Sequence, residues 1–126
     1  GLPPVVCVGE PSHIRAAGNA ASYVRDQVLS SCDDLSDGLV VAYEPVWAIG
    51  SGEAASADVA RSMHLDIKTA LADRYADLRV IYGGSVKPDN CAAFTTAEGV
   101  DGLLVGGASL SAESFWTICA AAIGAE

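Results

Sequence analysis

Four short apolar segments alternate with four helical patterns along this chain, and that alternation limits its possible folds more than any other feature. The apolar segments cover residues 4–8, 39–43, 79–82 and 102–105, and the helical patterns cover residues 16–30, 56–75, 88–94 and 111–123. Regular alternation of this kind is typical of parallel strands joined by helical crossovers. The sequence therefore predicts an α/β fold, with no domain boundary inside residues 1–126.

The second helical pattern shows the clearest periodicity. An apolar side chain recurs in it every four residues, at Val59, Met63, Ile67 and Leu71. This spacing places one apolar stripe against the sheet, and Ser56 is the predicted N-cap. Pro88 and Ser111 are predicted to mark the starts of the last two helices. Met63 and Phe115 are predicted to pack in the core.

The composition fits a buried parallel sheet, because 51% of the residues are apolar and only 6% are aromatic. The net charge of −9 argues against nucleic acid as a partner, and no apolar run reaches the roughly 18 residues of a membrane span. The four cysteines show no metal-ligand spacing, so we expect no metal or other cofactor and interpret them as reduced thiols of a cytoplasmic protein. Cys32, beside Asp33 in a polar connection, is predicted to be the most exposed thiol.

A single carboxylate, Glu44, follows the apolar run at residues 39–43. Pro45 then stiffens the chain, and a glycine-punctuated loop that contains Trp47 leads to the next helix. An acid at the end of a parallel strand, under a mobile apolar loop, suits a general base that needs a dry site. A solvated acidic residue that simply ends the strand would fit these residues equally well.

Two glycine clusters follow the third and fourth apolar segments, at residues 83–85 and 106–109. Glycine lets the backbone approach phosphate oxygens closely, and aligned N–H groups supply positive potential without a Lys or Arg side chain. Tight turns with positive φ are the alternative explanation for either cluster alone. Two clusters on adjacent strand ends favour a phosphate site, which in barrels often lies in the loops after strands seven and eight.

Residues 43–52 read Tyr-Glu-Pro-Val-Trp-Ala-Ile-Gly-Ser-Gly, and this string closely resembles the catalytic loop of the triosephosphate isomerase family. Residues 4–10, 82–86 and 100–110 resemble, in the same order, the fifth, seventh and eighth strand regions of that family. A (β/α)₈ barrel typically needs about 250 residues, whereas this chain has 126. The resemblance therefore implies the C-terminal half of a (β/α)₈ TIM barrel, made of four strand-and-helix units.

The resemblance also implies an activity. Glu44 would be the base that interconverts dihydroxyacetone phosphate and glyceraldehyde 3-phosphate through an enediolate, a reaction of glycolysis and gluconeogenesis. The implied phosphate ligands are Ser85, Gly106, Gly107 and, after the loop has closed, the amide of Gly50. Triosephosphate isomerase is itself a standard example of a Glu base that a closing loop shields from water.

Three further residues have implied roles in loop closure. Glu10 resembles the acid that accepts a hydrogen bond from the Trp47 indole, and Tyr82 resembles the hydroxyl that holds the far end of the closed loop near Ala55. Buried Trp and Tyr side chains need polar partners in any fold, so a purely structural role is the alternative.

The family places an Asn-x-Lys motif and an electrophilic His in the barrel half that this sequence does not match. The lysines here are Lys68 and Lys87, so the resemblance implies an incomplete catalyst. Residues 4–8 and 102–105 would each leave one strand edge unpaired. We therefore expect a partner, either an N-terminal half-barrel or a second copy, with a homodimer as the full enzyme. We also expect that Gly1 is not a natural start.

Two other functional interpretations stand beside the isomerase. One is a non-catalytic phosphate-binding half-barrel or scaffold, which would keep the glycine clusters without turnover. The other is a different phosphate-using barrel enzyme, since glycine clusters are widely shared. The string at residues 43–47 argues against this second alternative.

Overall fold

The computed structural model describes residues 2–35 and 37–124, and Gly1, on which the expectation about the chain start rests, lies outside them. The strands are β1 (Val5–Val8), β2 (Val40–Tyr43), β3 (Arg79–Tyr82) and β4 (Gly102–Leu103). The helices are α1 (Ser12–Ala16), α2 (Ala20–Ser31), α3 (Ala57–Leu71), α4 (Cys91–Thr95) and α5 (Ala112–Ala122), and there are short 3₁₀ turns at Val46–Ala48 and Gly107–Leu110.

The four strands form one parallel sheet in the order β1-β2-β3-β4. Each strand pairs with the next one in sequence, so that Val8, Tyr43, Tyr82 and Leu103 lie in one row across the sheet. This order confirms the predicted α/β fold of four strand-and-helix units. Within the described residues, β1 and β4 each keep one unpaired edge, as half of a barrel requires.

The helices cover one face of the sheet, and the hydrophobic core lies between them and the strands. The strand side chains fully buried on that face include Val41, Tyr43, Val80 and Tyr82. Alternate strand residues point to opposite sides of a sheet. The other face, which we call the inward face because a closed barrel would enclose it, carries Val5, Cys7, Val40, Arg79 and Ile81.

Two predicted N-caps are confirmed. The Ser56 hydroxyl accepts a hydrogen bond of 3.2 Å from the Val59 amide, and the Ser111 hydroxyl accepts one of 3.3 Å from the Ser114 amide. Each satisfies one N–H group that the first helical turn leaves without a partner.

Three predicted helix boundaries are wrong. The second helical pattern, predicted to extend to residue 75, ends as α3 at Leu71. Residues 16–30 do not form one helix, because Gly18 adopts a φ of 79° and separates α1 from α2. Pro88 does not begin α4, which starts at Cys91. The preceding residues form a turn instead, in which the Asn90 side chain accepts a 2.7 Å hydrogen bond from the Lys87 amide.

Two predicted burial states are also wrong, whereas Met63 is buried as predicted. Phe115 is 42% exposed, because the core contact of α5 is made by Ile118 and the described chain provides no helix beyond α5. Cys32 is fully buried at the end of α2, where its carbonyl accepts a 2.9 Å hydrogen bond from the Tyr75 hydroxyl. Cys7, on the inward face, is the exposed thiol.

None of the helices in residues 2–35 and 37–124 has the length and apolar character that crossing a membrane demands.

Candidate active site at the carboxyl ends of the strands

Glu44 extends from the carboxyl end of β2 to the inward face, and two glycines on neighbouring strands make room for it. A Cβ atom at Gly83 would lie 2.9 Å from Glu44 Cγ, and one at Gly9 would lie 1.8 Å from the Glu44 carbonyl oxygen. Any larger residue at either position would displace the carboxylate or its backbone. The register of β1, β2 and β3 brings these three residues to the same level of the sheet.

Cys7 lies beside Glu44 on the inward face. Hydrogen bonding to the Glu44 carboxylate, together with partial burial, raises the pKa of the Cys7 thiol to about 11. The thiol is therefore neutral near pH 7 and donates towards the carboxylate rather than competing with it as a base. Sequence reasoning did not connect these two residues, because only the pairing of β1 with β2 makes them diagonal neighbours on the same face of the sheet.

One cavity of about 550 Å³ lies above the carboxyl ends of β2, β3 and β4. The residues that line it include five of the predicted site residues: Glu44, Gly50, Ser85, Gly106 and Gly107. The other three, Glu10, Trp47 and Tyr82, are not among its lining residues. A larger cavity of about 700 Å³ lies at the opposite ends of the strands, next to Leu39 and Arg79. Ligands of parallel α/β folds bind at the carboxyl ends, so the smaller cavity is the candidate site.

Backbone N–H groups are available at this cavity. Within the described residues, the amides of Gly106 and Gly107 donate no hydrogen bond to the protein. A Cβ atom at either glycine would meet no protein atom within 4 Å, so both face open space. A side chain there would enter the cavity rather than clash with the fold, which means that glycine keeps the two amides accessible.

The segment at residues 46–55, which we call the loop, is attached to the end of β3 at two points. The Ser85 hydroxyl donates a 2.7 Å hydrogen bond to the Ala48 carbonyl, and the Ala55 amide donates one of 3.0 Å to the Tyr82 hydroxyl. The contact between Tyr82 and Ala55 is the one that the resemblance implied. Ser85 has a φ of 54°, an uncommon conformation for a residue with a side chain. Backbone strain of this kind is often found at functional sites.

Behind the loop, the buried Glu10 carboxylate accepts three hydrogen bonds. They come from Trp47 Nε1 at 2.9 Å, from Arg15 Nε at 2.8 Å and from the Tyr43 hydroxyl at 2.8 Å. The Trp47 bond was implied by the resemblance, whereas Arg15 and Tyr43 were missed, because no spacing rule links them to Glu10. The Arg15 guanidinium also lies 5.3 Å from the Trp47 ring centroid. Burial and the neighbouring carboxylate raise the pKa of Tyr43, which stays a neutral donor.

Lys87 was noted in the sequence but given no role, and the structure places it at the cavity. Within the described residues it is the one cationic side chain that lines this cavity. Its ammonium group lies 3.4 Å from the Gly52 carbonyl at the tip of the loop. The rest of the cavity therefore offers backbone amides and one carboxylate.

A comparison with known proteins identifies the same family that the string at residues 43–52 resembles. The family model described as Triosephosphate isomerase matches residues 1–122. Proteins named triosephosphate isomerase from Thermus thermophilus, Marinobacter nauticus and Xanthobacter flavus are 45%, 48% and 48% identical, over 91%, 94% and 96% of this chain. The chain spans about half the length of these curated relatives, 50% or 51% of each. This chain belongs to the triosephosphate isomerase family.

Proposed function

We propose that this chain supplies the base and the phosphate subsite of an isomerase that interconverts dihydroxyacetone phosphate and glyceraldehyde 3-phosphate. The observation that carries the proposal is the single cavity lined by Glu44 and by the backbone of Gly50, Ser85, Gly106 and Gly107. A carboxylate and a set of phosphate-binding amides in one cavity suit a small phosphorylated substrate with an acidic C–H bond.

In the proposed reaction, Glu44 removes a proton from the carbon next to the substrate carbonyl. The electron pair of the broken C–H bond forms a C=C bond, and the carbonyl oxygen becomes the oxyanion of an enediolate. Return of the proton to the neighbouring carbon completes the exchange of ketose for aldose. The absence of a side chain at Gly83 lets the carboxylate reach the cavity without displacing the chain.

The phosphate group would bind to the amides of Gly106 and Gly107 and to Ser85. The amides of Gly106 and Gly107 have no partner among the described residues, so binding of the phosphate to these two amides breaks no protein hydrogen bond. The Gly50 amide would join as the loop closes over the phosphate. The hydrogen bonds from Trp47 to Glu10 and from Ala55 to Tyr82, which the structure already contains, would hold the two ends of the loop during this step. Loop closure would exclude water from the base.

The enediolate oxygens also need hydrogen-bond donors. Within the described residues, Lys87 is the one cation at the cavity, and it is engaged by the loop. We therefore propose that the missing donors come from a complementary half-barrel, which would also pair with the open edges of β1 and β4. In this proposal the completed enzyme acts in glycolysis and gluconeogenesis in the cytoplasm.

The test is isomerisation of dihydroxyacetone phosphate by the purified chain, with and without a complement. A suitable complement is the half of the Thermus thermophilus relative that this chain does not match. We expect negligible turnover by the chain alone, since loss of even one oxyanion donor typically costs about 10²–10³-fold, and we expect recovery on mixing. Robust turnover by the lone monomeric chain would refute the need for a complement.

A second candidate function is phosphate binding without turnover. One observation favours it: within the described residues, Gly106 and Gly107 line the cavity, whereas its one cationic side chain, Lys87, is already engaged by the loop. Formation of a mixed complex without recovery of turnover, together with binding of inorganic phosphate, would support it over the isomerase.

A further inference from the structure

The segment between β3 and α4 contains a turn at residues 85–90, which we call the Ser85 turn, and the side chain of Asn90 holds it together. Asn90 Oδ1 accepts a 2.7 Å hydrogen bond from the Lys87 amide, and Asn90 Nδ2 donates one of 2.9 Å to the Ser85 carbonyl. One orientation of the side-chain amide satisfies both partners, because its oxygen must face an N–H group and its nitrogen must face a carbonyl. The Asn90 side chain therefore closes the turn on itself.

Asn90 occupies the N-cap position of α4 but does not cap that helix. An asparagine at this position usually accepts a hydrogen bond from an amide of the first helical turn. The Asn90 side chain makes no such bond, and both of its polar groups are bonded to the segment before the helix instead. Asn90 thus stabilises the Ser85 turn rather than the start of α4.

Ser85 needs this support because its backbone lies in the left-handed region, with a φ of 54°. A residue with a side chain rarely adopts this conformation, which persists where the surrounding structure enforces it. Within the described residues, Asn90 is the one donor to the Ser85 carbonyl. Its hydrogen bond restrains the peptide group that follows Ser85, and so restrains the strained backbone directly.

The conformation of Ser85 matters because this residue attaches the loop. Its hydroxyl donates the 2.7 Å hydrogen bond to the Ala48 carbonyl. Two residues further along the Ser85 turn, the Lys87 ammonium group lies 3.4 Å from the Gly52 carbonyl. A change in the Ser85 backbone would move both donors away from the loop.

We propose that Asn90 is a positioning residue for loop closure, which holds the Ser85 turn in the conformation that keeps the loop attached. Asn90 does not line the cavity, so it acts through Ser85 and not on a substrate. The inference rests on the proposed function for its meaning in catalysis, but its first test uses neither substrate nor complement. It can therefore fail while the isomerase proposal stands, and failure of the isomerase proposal would appear separately, as absent turnover of the unmodified complex.

Hydrogen exchange of the free chain, followed by NMR, is the first test. The reporter is the Ala55 amide, which donates to the Tyr82 hydroxyl at the other attachment point of the loop and exchanges when the loop detaches. We expect Asn90→Ala to raise its exchange rate by about tenfold relative to the amides of α3, because the loop loses the support of Ser85. The α3 amides report global opening, so a uniform loss of stability cancels in this ratio.

Asn90→Asp separates the proposed role from ordinary helix capping. Aspartate caps helices as well as asparagine does, but an ionised carboxylate cannot donate to the Ser85 carbonyl. The exchange ratio should therefore rise in Asn90→Asp as it does in Asn90→Ala. The matched control is Asn19→Ala, because Asn19 also occupies an N-cap position and its side chain makes no capping hydrogen bond. An exchange ratio in Asn90→Asp equal to that of the unmodified chain would overturn the proposal.

Turnover in the completed barrel is the second test. Asn90→Asp should lower kcat/KM for dihydroxyacetone phosphate by about tenfold, because the loop is closed for a smaller fraction of the time. Asn19→Ala should leave kcat/KM unchanged. An unchanged kcat/KM in Asn90→Asp would show that loop attachment through Asn90 does not serve the reaction, and would overturn the positioning role.

Discussion

Glu10 and Glu44 both follow the carboxyl end of a strand, yet their surroundings are opposite. Glu10, two residues beyond β1, has no solvent exposure and accepts hydrogen bonds from Arg15, Tyr43 and Trp47. Glu44, one residue beyond β2, is partly exposed and lines the cavity. The neighbours of Glu10 supply donors, whereas the glycines beside Glu44 supply space.

The surroundings of Glu10 and Glu44 differ because the two side chains point to opposite faces of the sheet. Strand alternation turns Glu10 towards the helices, where a buried carboxylate persists only if its oxygens are paired. It turns Glu44 to the inward face, where the carboxylate faces the cavity and can accept a proton. A carboxylate that three donors hold in place suits the support of a loop, whereas one that meets only the weak thiol donor of Cys7 suits a base.

The largest expected effect is on turnover. In the completed barrel, Glu44→Gln keeps the shape of the side chain but removes the base, so turnover should fall by about 10²–10⁴-fold. Steady-state isomerisation of dihydroxyacetone phosphate measures this change. Glu98→Gln is the matched control, because Glu98 is an exposed carboxylate on the outer surface. Near-normal turnover of Glu44→Gln would show that Glu44 is not the base.

The elements of this fold were predictable where the signal is local. The strands and the N-caps Ser56 and Ser111 follow from periodicity and from single residues, and both are present in the structure. Cys32 and Phe115 were misplaced, because their burial depends on which distant segment covers them. The hydropathy of a single residue carries no information about which distant segment covers it.

The candidate site was predictable in its members but not in its geometry. The resemblance implied Glu44 and the phosphate-binding residues, and the structure brings them to one cavity. The role of Gly83 as space for Glu44 was not predictable, because it depends on the register between β2 and β3. Arg15 was missed for a similar reason, since α1 must fold back over the end of β1 before its guanidinium meets Glu10.

The next effect concerns His64, a second buried titratable group on the helix side. Its Nε2 atom has no hydrogen-bond partner within the described residues, and burial lowers the pKa of His64 from 6.5 to about 4. The folded state binds a proton on the His64 imidazole less tightly than the unfolded state does. The contribution of neutral, buried His64 to the free energy of unfolding is therefore full above pH 6.5. It is lost as the pH falls towards 4, and its full size is about 3 kcal/mol.

Urea unfolding between about pH 7 and about pH 4 tests this contribution. The unmodified chain should lose stability more steeply than His64→Gln, and His13→Gln, which changes an exposed histidine on α1, should behave like the unmodified chain. Parallel pH profiles of the chain and His64→Gln would contradict the neutral, buried state of His64.

The smallest expected effect is the loss of stability when Glu10 loses its charge. Glu10→Gln keeps the shape but replaces charge-assisted hydrogen bonds with neutral ones, so the free energy of unfolding should fall by about 2 kcal/mol. Glu98→Gln, at a solvent-exposed ion pair with Arg61, should change it by less than about 1 kcal/mol. Urea unfolding near neutral pH measures both. Equal losses in the two variants would show that the Glu10 hydrogen bonds contribute no more than a surface pair.

The central claim, that Glu44 takes the substrate proton, is tested most directly by deuterium incorporation from heavy water in the completed barrel. A proton held on a carboxylate exchanges with solvent, so proton NMR should show deuterium entering the carbon-bound positions of dihydroxyacetone phosphate. We predict incorporation with the unmodified chain and with Glu98→Gln, and its loss with Glu44→Gln by about 10²-fold or more. Undiminished incorporation with Glu44→Gln would mean that another group removes the proton, and would contradict this account.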